Sequence, residues 1–115
     1  MKFLIAGLGS IGRRHLNILK ELEQDDIILY RTHQSTLDDE ALAGIPVYID
    51  LRDALALKPD AVVVANPTSL HMDVAIPAAE AGCHILLEKP ISDDLSRMDE
   101  LRLAAKKSGS RILVG

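Results

Sequence analysis

The chain has 115 residues, 13 of them Lys or Arg and 17 Asp or Glu, for a formal net charge of −4. That length supports one domain, since domains mostly run to about 100–150 residues, and 48% hydrophobic with 26% charged residues excludes a disordered chain. Aromatics at 3%, with no Trp and one Phe, argue against a single-strand nucleic-acid binder built on base stacking, and the acidic balance argues against a phosphate-backbone binder. The lone cysteine, Cys83, excludes an internal disulfide and a multi-Cys zinc site. It begins an apolar run and is expected to be a small buried residue. No segment is long and apolar enough to cross a bilayer, and the apolar start is too short for a secretory leader. A soluble, cytoplasmic chain is expected.

Residues 2–6 form a continuous apolar run that predicts a first strand, buried on both faces. Gly7-Leu8-Gly9-Ser10-Ile11-Gly12 follows directly and opens a helical pattern. This is G-x-G-x-x-G in its required context, strand before and helix after. Gly7 would permit the tight turn, Gly9 would let a pyrophosphate approach the backbone, and Gly12 would let helix and strand pack closely. Ser10 is the expected N-cap, beside free N–H groups that stabilise an anion. The helix is expected over residues 11–23, with Ile11, His15, Ile18, Leu19 and Leu22 on its apolar stripe. His15 then reads as a packing histidine.

Residues 27–31 predict the second strand. In the NAD form of such a fold, a carboxylate roughly 20 positions beyond the motif holds the ribose 2′-hydroxyl. Arg31 stands there instead, followed by Thr32 and His33. A guanidinium suits a 2′-phosphate, so Arg31 favours NADP, with NAD still possible; a solvated loop arginine is the alternative. A short helix is expected around residues 37–42, a strand over 47–49, and a helix over 51–57 capped by Asp50. Residues 61–65 predict a further strand and 69–81 a helix. Pro77 falls inside that helix, so a kink or a delayed start is expected. Residues 84–88 predict the fifth strand, which ends on Glu88-Lys89-Pro90. Ligands in open α/β sheets bind at that carboxyl edge, and a lysine there could bond a hydroxyl or move a proton. The plain alternative is a surface ion pair before a turn. A helix over 95–107, preceded by Asp93 and Asp94 and closed by Lys106 and Lys107, leads to a strand at 111–114.

Strand–helix alternation throughout predicts an α/β, doubly wound, mainly parallel sheet of about six strands. No repeat, low-complexity tract or interdomain linker is present. Gly7 to Gly12, Asn66-Pro67-Thr68-Ser69-Leu70-His71 after the fourth strand and Glu88-Lys89-Pro90 after the fifth together resemble the Gfo/Idh/MocA family of oxidoreductases. The resemblance implies a two-domain plan: an N-terminal Rossmann domain for NAD(P), then an α/β substrate domain. It implies redox chemistry at a hydroxyl or carbonyl carbon of a sugar, inositol or related compound.

By the same resemblance, Gly7, Gly9, Ser10, Ile11 and Gly12 would line the pyrophosphate. Arg31 would face the adenosine ribose, where Thr32 could add a hydrogen bond beside it, and Asn66, Pro67, Thr68 and His71 would lie along the cofactor's middle. Glu88 would reach the nicotinamide ribose and Lys89 would be the catalytic-site lysine, its bond to Pro90 a candidate cis peptide. Residues 1–115 are then expected to be the cofactor domain of a longer enzyme, inactive alone and with a homo-oligomeric full-length form. The expected partner is a sugar-like small molecule, with no nucleic acid, membrane or metal; His33 and His84 have no metal-ligand spacing to any neighbour. A stand-alone, non-enzymatic redox sensor that binds dinucleotide is the alternative from another class.

Overall fold

The computed structural model describes residues 1–24, 26–31, 44–89 and 95–115, with the side chains of residues 68, 95 and 96 excepted. The expected helix at 37–42, Thr32, His33 and the Lys89–Pro90 peptide bond lie outside the described residues, as do Asp93 and Asp94. The elements alternate as expected: β1 (Phe3–Ala6), α1 (Ser10–Glu21), β2 (Ile27–Tyr30), β3 (Val47–Tyr48), α2 (Leu51–Leu55) and β4 (Ala61–Val64). A 3-10 turn (Thr68–Leu70) then leads into α3 (His71–Glu80), β5 (His84–Leu87), α4 (Leu95–Ser108) and β6 (Ile112–Val114). All six strands are parallel, in the order β3-β2-β1-β4-β5-β6. This is the Rossmann order, whose direction of winding reverses between β1 and β4.

The strands read as unbroken apolar runs because both faces of the sheet are covered. Leu4, Ala6, Val62, Val64, Ile85 and Leu87 point into one core layer, shared with Ala54 of α2, α3 and α4. Ile5, Leu29 and Val63 point the other way, where Leu16 of α1 meets them. Helix α3 is deeply buried, with Met72, Val74, Ala75, Ile76, Ala78 and Ala79 all in the core. Its alanines leave room for α4, which is tied down where Ser108 Oγ donates to the Ala79 carbonyl at 2.6 Å. Asp50 caps α2 as expected, accepting from the Arg52 N–H at 2.8 Å.

Three expectations about the helices need correction. The N-cap of α1 is Gly9, not Ser10, and no side chain caps the helix; Ser10 is already its first residue. The apolar stripe of α1 is also turned. Gly12 and Leu16 are its buried residues, whereas Ile11 (48%), Ile18 (41%) and Leu22 (64%) are exposed. The reason is steric: Gly12 sits so close to the glycine turn that a Cβ there would lie 1.8 Å from the Gly7 carbonyl oxygen. That approach sets the rotation of the helix about its axis, whatever the apolar count on other faces. Finally, α3 begins at His71 after the 3-10 turn and runs through Pro77 to Glu80, so Pro77 does not set where the helix starts.

Candidate dinucleotide site

Strand register builds the site. Ala6 is level with Tyr30 on one side and Val64 on the other, and Val64 is level with Leu87. Four strands therefore end in one row, and the residues that follow them emerge side by side: Gly7, Arg31, Ala65 and Glu88. Backbone hydrogen bonds stitch the row. Gly7 N–H donates to the Tyr30 carbonyl (3.0 Å), Ala65 N–H to Ala6 (2.8 Å) and Glu88 N–H to Val64 (3.2 Å). Because the winding reverses between β1 and β4, the loops leaving these two strands diverge to opposite faces and open a crevice.

That crevice has a volume of about 580 Å³. Of the residues named from sequence, Gly7, Gly9, Ser10, Ile11, Arg31, Asn66, Pro67, His71, Glu88 and Lys89 line it. Gly12 does not; it lies beneath the turn, against Gly7. Thr32 and the side chain of Thr68 are outside the described residues. Tyr30, Leu8, Ala65, Leu70, Asp73 and Val74 also line the crevice. Leu70 belongs to the motif after the fourth strand, whereas Asp73 and Val74 lie beyond it on α3, and their place at the crevice depends on how the 3-10 turn leads into that helix.

Each glycine of the turn has a distinct physical role. Gly7 has φ +102°, and a Cβ there would lie 2.6 Å from the Asn66 nitrogen, so both its conformation and its closeness to the β4 loop require glycine. A Cβ on Gly9, by contrast, would meet nothing within 4 Å, which leaves the space in front of its backbone open. The Arg13 Nε–H donates to the Leu8 carbonyl at 3.0 Å and steadies the turn from behind. The first α-helical N–H groups, at Ser10 and Ile11, have no acceptor within the helix and border the same space.

On the opposite wall, His71 is 2% exposed. Its Nε2–H donates to the Asn66 carbonyl at 2.8 Å, while Asn66 Nδ2 donates to the Leu70 carbonyl at 3.2 Å. These bonds close the β4 loop on itself. They also fix the amide, so that Asn66 Oδ1 is buried with no hydrogen-bond partner among the described residues. Asp73 is held by Arg97 of α4, whose Nη1 donates to Oδ1 at 2.5 Å. At the far end, Glu88 accepts from Nε2 of His15, a residue of α1 that does not itself line the crevice. The expected packing role of His15 is thus corrected: its ring is turned to a carboxylate. Lys89 is exposed, and its N–H donates to the Gly115 carbonyl at 3.2 Å. Among the described residues no three His, Cys, Asp or Glu side chains converge as metal ligands would, and no helix is long and apolar enough to cross a membrane.

A parallel sheet in this order, with a glycine turn at its reversal point, defines a Rossmann dinucleotide-binding domain. The chain matches, over residues 1–115, the family model described as oxidoreductase family, NAD-binding Rossmann fold. It belongs to that family, Gfo/Idh/MocA, and the resemblance carried by the three motifs is confirmed. Myo-inositol 2-dehydrogenase of Thermotoga maritima is 31% identical over 100% of this chain and 36% of its own length. The WlbA dehydrogenase of Bordetella pertussis, solved with NADH and UDP-GlcNAcA, superposes with a TM-score of 0.84 at 30% identity, covering 99% of this chain and 37% of its own. UDP-N-acetylglucosamine 3-dehydrogenase of Acidithiobacillus ferrooxidans superposes with a TM-score of 0.84 at 29% identity, over 100% of this chain and 38% of its own. The chain thus spans little more than a third of the length of these relatives.

Proposed function

We propose that residues 1–115 are the cofactor domain of an NAD(P)-dependent dehydrogenase or reductase acting at a hydroxyl or carbonyl carbon of a sugar, inositol or related polyol. The alignment of four strand ends around a glycine turn is the observation that carries this reading. Relatives named for myo-inositol and for UDP-sugars support the substrate class. The residues present fit a dinucleotide: open space before Gly9, N–H groups at the start of α1 with no acceptor within the helix, and a buried acceptor at Asn66 with no donor among the described residues. Bound there, the nicotinamide would supply a hydride acceptor or donor.

In this reading Gly9, Ser10 and Ile11 hold the pyrophosphate through backbone N–H groups, where a helix start favours negative charge. Asn66, Pro67 and Thr68 shape the middle of the crevice, and His71 keeps their loop closed. Glu88 accepts from ribose hydroxyls. Lys89, exposed at the end of the row, is the residue that meets the substrate oxygen and can move a proton there. Arg31 follows β2 directly, with its N–H on the Tyr48 carbonyl at 3.0 Å, and borders the crevice. There it favours NADP, with NAD as the second cofactor, and Thr32 would join it at the adenosine ribose. The full-length protein would work as a homo-oligomer.

Cofactor choice tests the site directly. A charge-assisted contact from a guanidinium to a 2′-phosphate contributes about 1.5–3 kcal/mol, roughly one to two decades of affinity. NADPH should therefore bind more tightly than NADH in a fluorescence titration, and added salt should narrow the gap by screening. Arg31→Asp should reverse the order. Equal, salt-insensitive affinities would remove Arg31 from the site, and binding of neither cofactor would overturn the dinucleotide reading.

A further inference from the structure

We infer that His15 is a positioning residue for the dinucleotide site, acting through Glu88 rather than by touching ligand; this rests on the dinucleotide reading above. Glu88 stands at the end of the row of strand termini and lines the crevice, whereas His15 lies one turn into α1, outside the lining. Seventy-three positions separate them in the chain, and the fold brings Nε2 of the one onto Oε1 of the other. Both side chains are partly buried, 19% exposed for His15 and 20% for Glu88. A carboxylate oxygen offers only lone pairs, so the ring nitrogen must be the donor, and Nε2 carries the proton.

Three consequences follow from that contact. It engages one carboxylate oxygen and leaves Oε2 to accept from a vicinal diol such as a ribose. It removes rotamer freedom from a glutamate that would otherwise lose it on binding, which is the physical basis of preorganisation. It also ties α1, which carries the glycine turn, to the residue that directly follows β5. No other described group bonds Glu88 Oε1, so the imidazole alone sets its position on that side. Glutamine at position 15 could supply the same donation through its amide N–H; alanine could not.

The test uses the 115-residue chain and titrates NADH and NADPH by nucleotide fluorescence, with melting curves for every variant. His15→Ala should weaken both cofactors about three- to tenfold, the cost of ordering one free side chain on binding. His15→Gln should restore affinity to within about twofold. In a Glu88→Ala background, His15→Ala should change affinity little further, since the two act as a unit. A fourth readout does not depend on the alanine variant folding: saturation of the wild type with NADH should move the His15 ring resonances in nitrogen-resolved spectra. Wild-type affinity in His15→Ala, equal losses with and without Glu88, or unmoved ring resonances would each overturn this inference while leaving the dinucleotide site intact. A wild type that binds neither cofactor would overturn both.

Discussion

Single residues decide whether the glycine turn works, and two of its glycines can be separated by experiment. Gly9 has φ −72° and ψ −167°, a conformation any residue adopts, and open space where its side chain would be. Gly9→Val should therefore fold normally yet fill the approach to the backbone, weakening dinucleotide binding at least tenfold, about 1.4 kcal/mol, by titration. Gly12→Ala should do the reverse. Its Cβ would fall on a backbone oxygen that cannot swing aside, so urea unfolding should show a loss of about 1–3 kcal/mol or more. Cys83 provides a check on the core. Burial, and secondarily the negative charge of Asp60, pushes its thiol above the ordinary value. The folded chain should thus react with iodoacetamide far more slowly than the urea-unfolded chain, as thiolate is the reacting form. The linkage has a definite sign. The fold favours the protonated thiol, so this contribution is complete below the ordinary thiol range and is lost as pH rises through the raised value.

At the scale of elements, α1 shows how a local contact overrides an apolar pattern. Counting hydrophobes puts Ile11, Ile18 and Leu22 on the inner face, yet all three are exposed. Gly12 must face the turn, and Leu16, one helical turn on, is carried into the core at 1% exposure. Leu16→Ala should cost about 2–5 kcal/mol in denaturant unfolding, whereas Ile18→Ser should stay within about 0.5 kcal/mol of wild type. The opposite result would restore the stripe as counted. Helix α3 presents the complementary case: with seven buried residues, among them Met72, Val74 and Ile76, packing holds it together across Pro77. Tertiary burial of this kind outweighs one missing backbone hydrogen bond.

For the whole molecule, the doubly wound sheet gathers its chemistry at one edge. The described residues form the walls of the crevice, while relatives named as dehydrogenases are nearly three times as long. In the proposed reading, hydride transfer needs the substrate carbon held within reach of the nicotinamide, and Lys89 alone would not orient a polyol. Purified as 115 residues, the chain should bind dinucleotide but show no steady reduction of NAD or NADP with myo-inositol, followed by the absorbance of the reduced nicotinamide. Sustained turnover would mean that the catalytic site is complete within these residues.

The strands were legible in the sequence to within a residue or so, because a strand covered on both faces must be an unbroken apolar run. The glycine turn was legible because backbone approach restricts residue type locally, whereas Glu88-Lys89 and the Asn66 to His71 segment were marked out chiefly by the family resemblance. Sequence pattern therefore determined the doubly wound parallel sheet and the glycine turn, and the family resemblance added most of the other residues that line the crevice. Only the tertiary structure decided the facing of α1, the N-cap at Gly9, the closing of the Asn66 loop by His71 and the meeting of His15 with Glu88. The physical reason is one of range. Periodicity reports how much apolar surface an element carries, but its rotation about its own axis and its long-range partners are set by contacts with other elements, such as the close approach of Gly12 to Gly7.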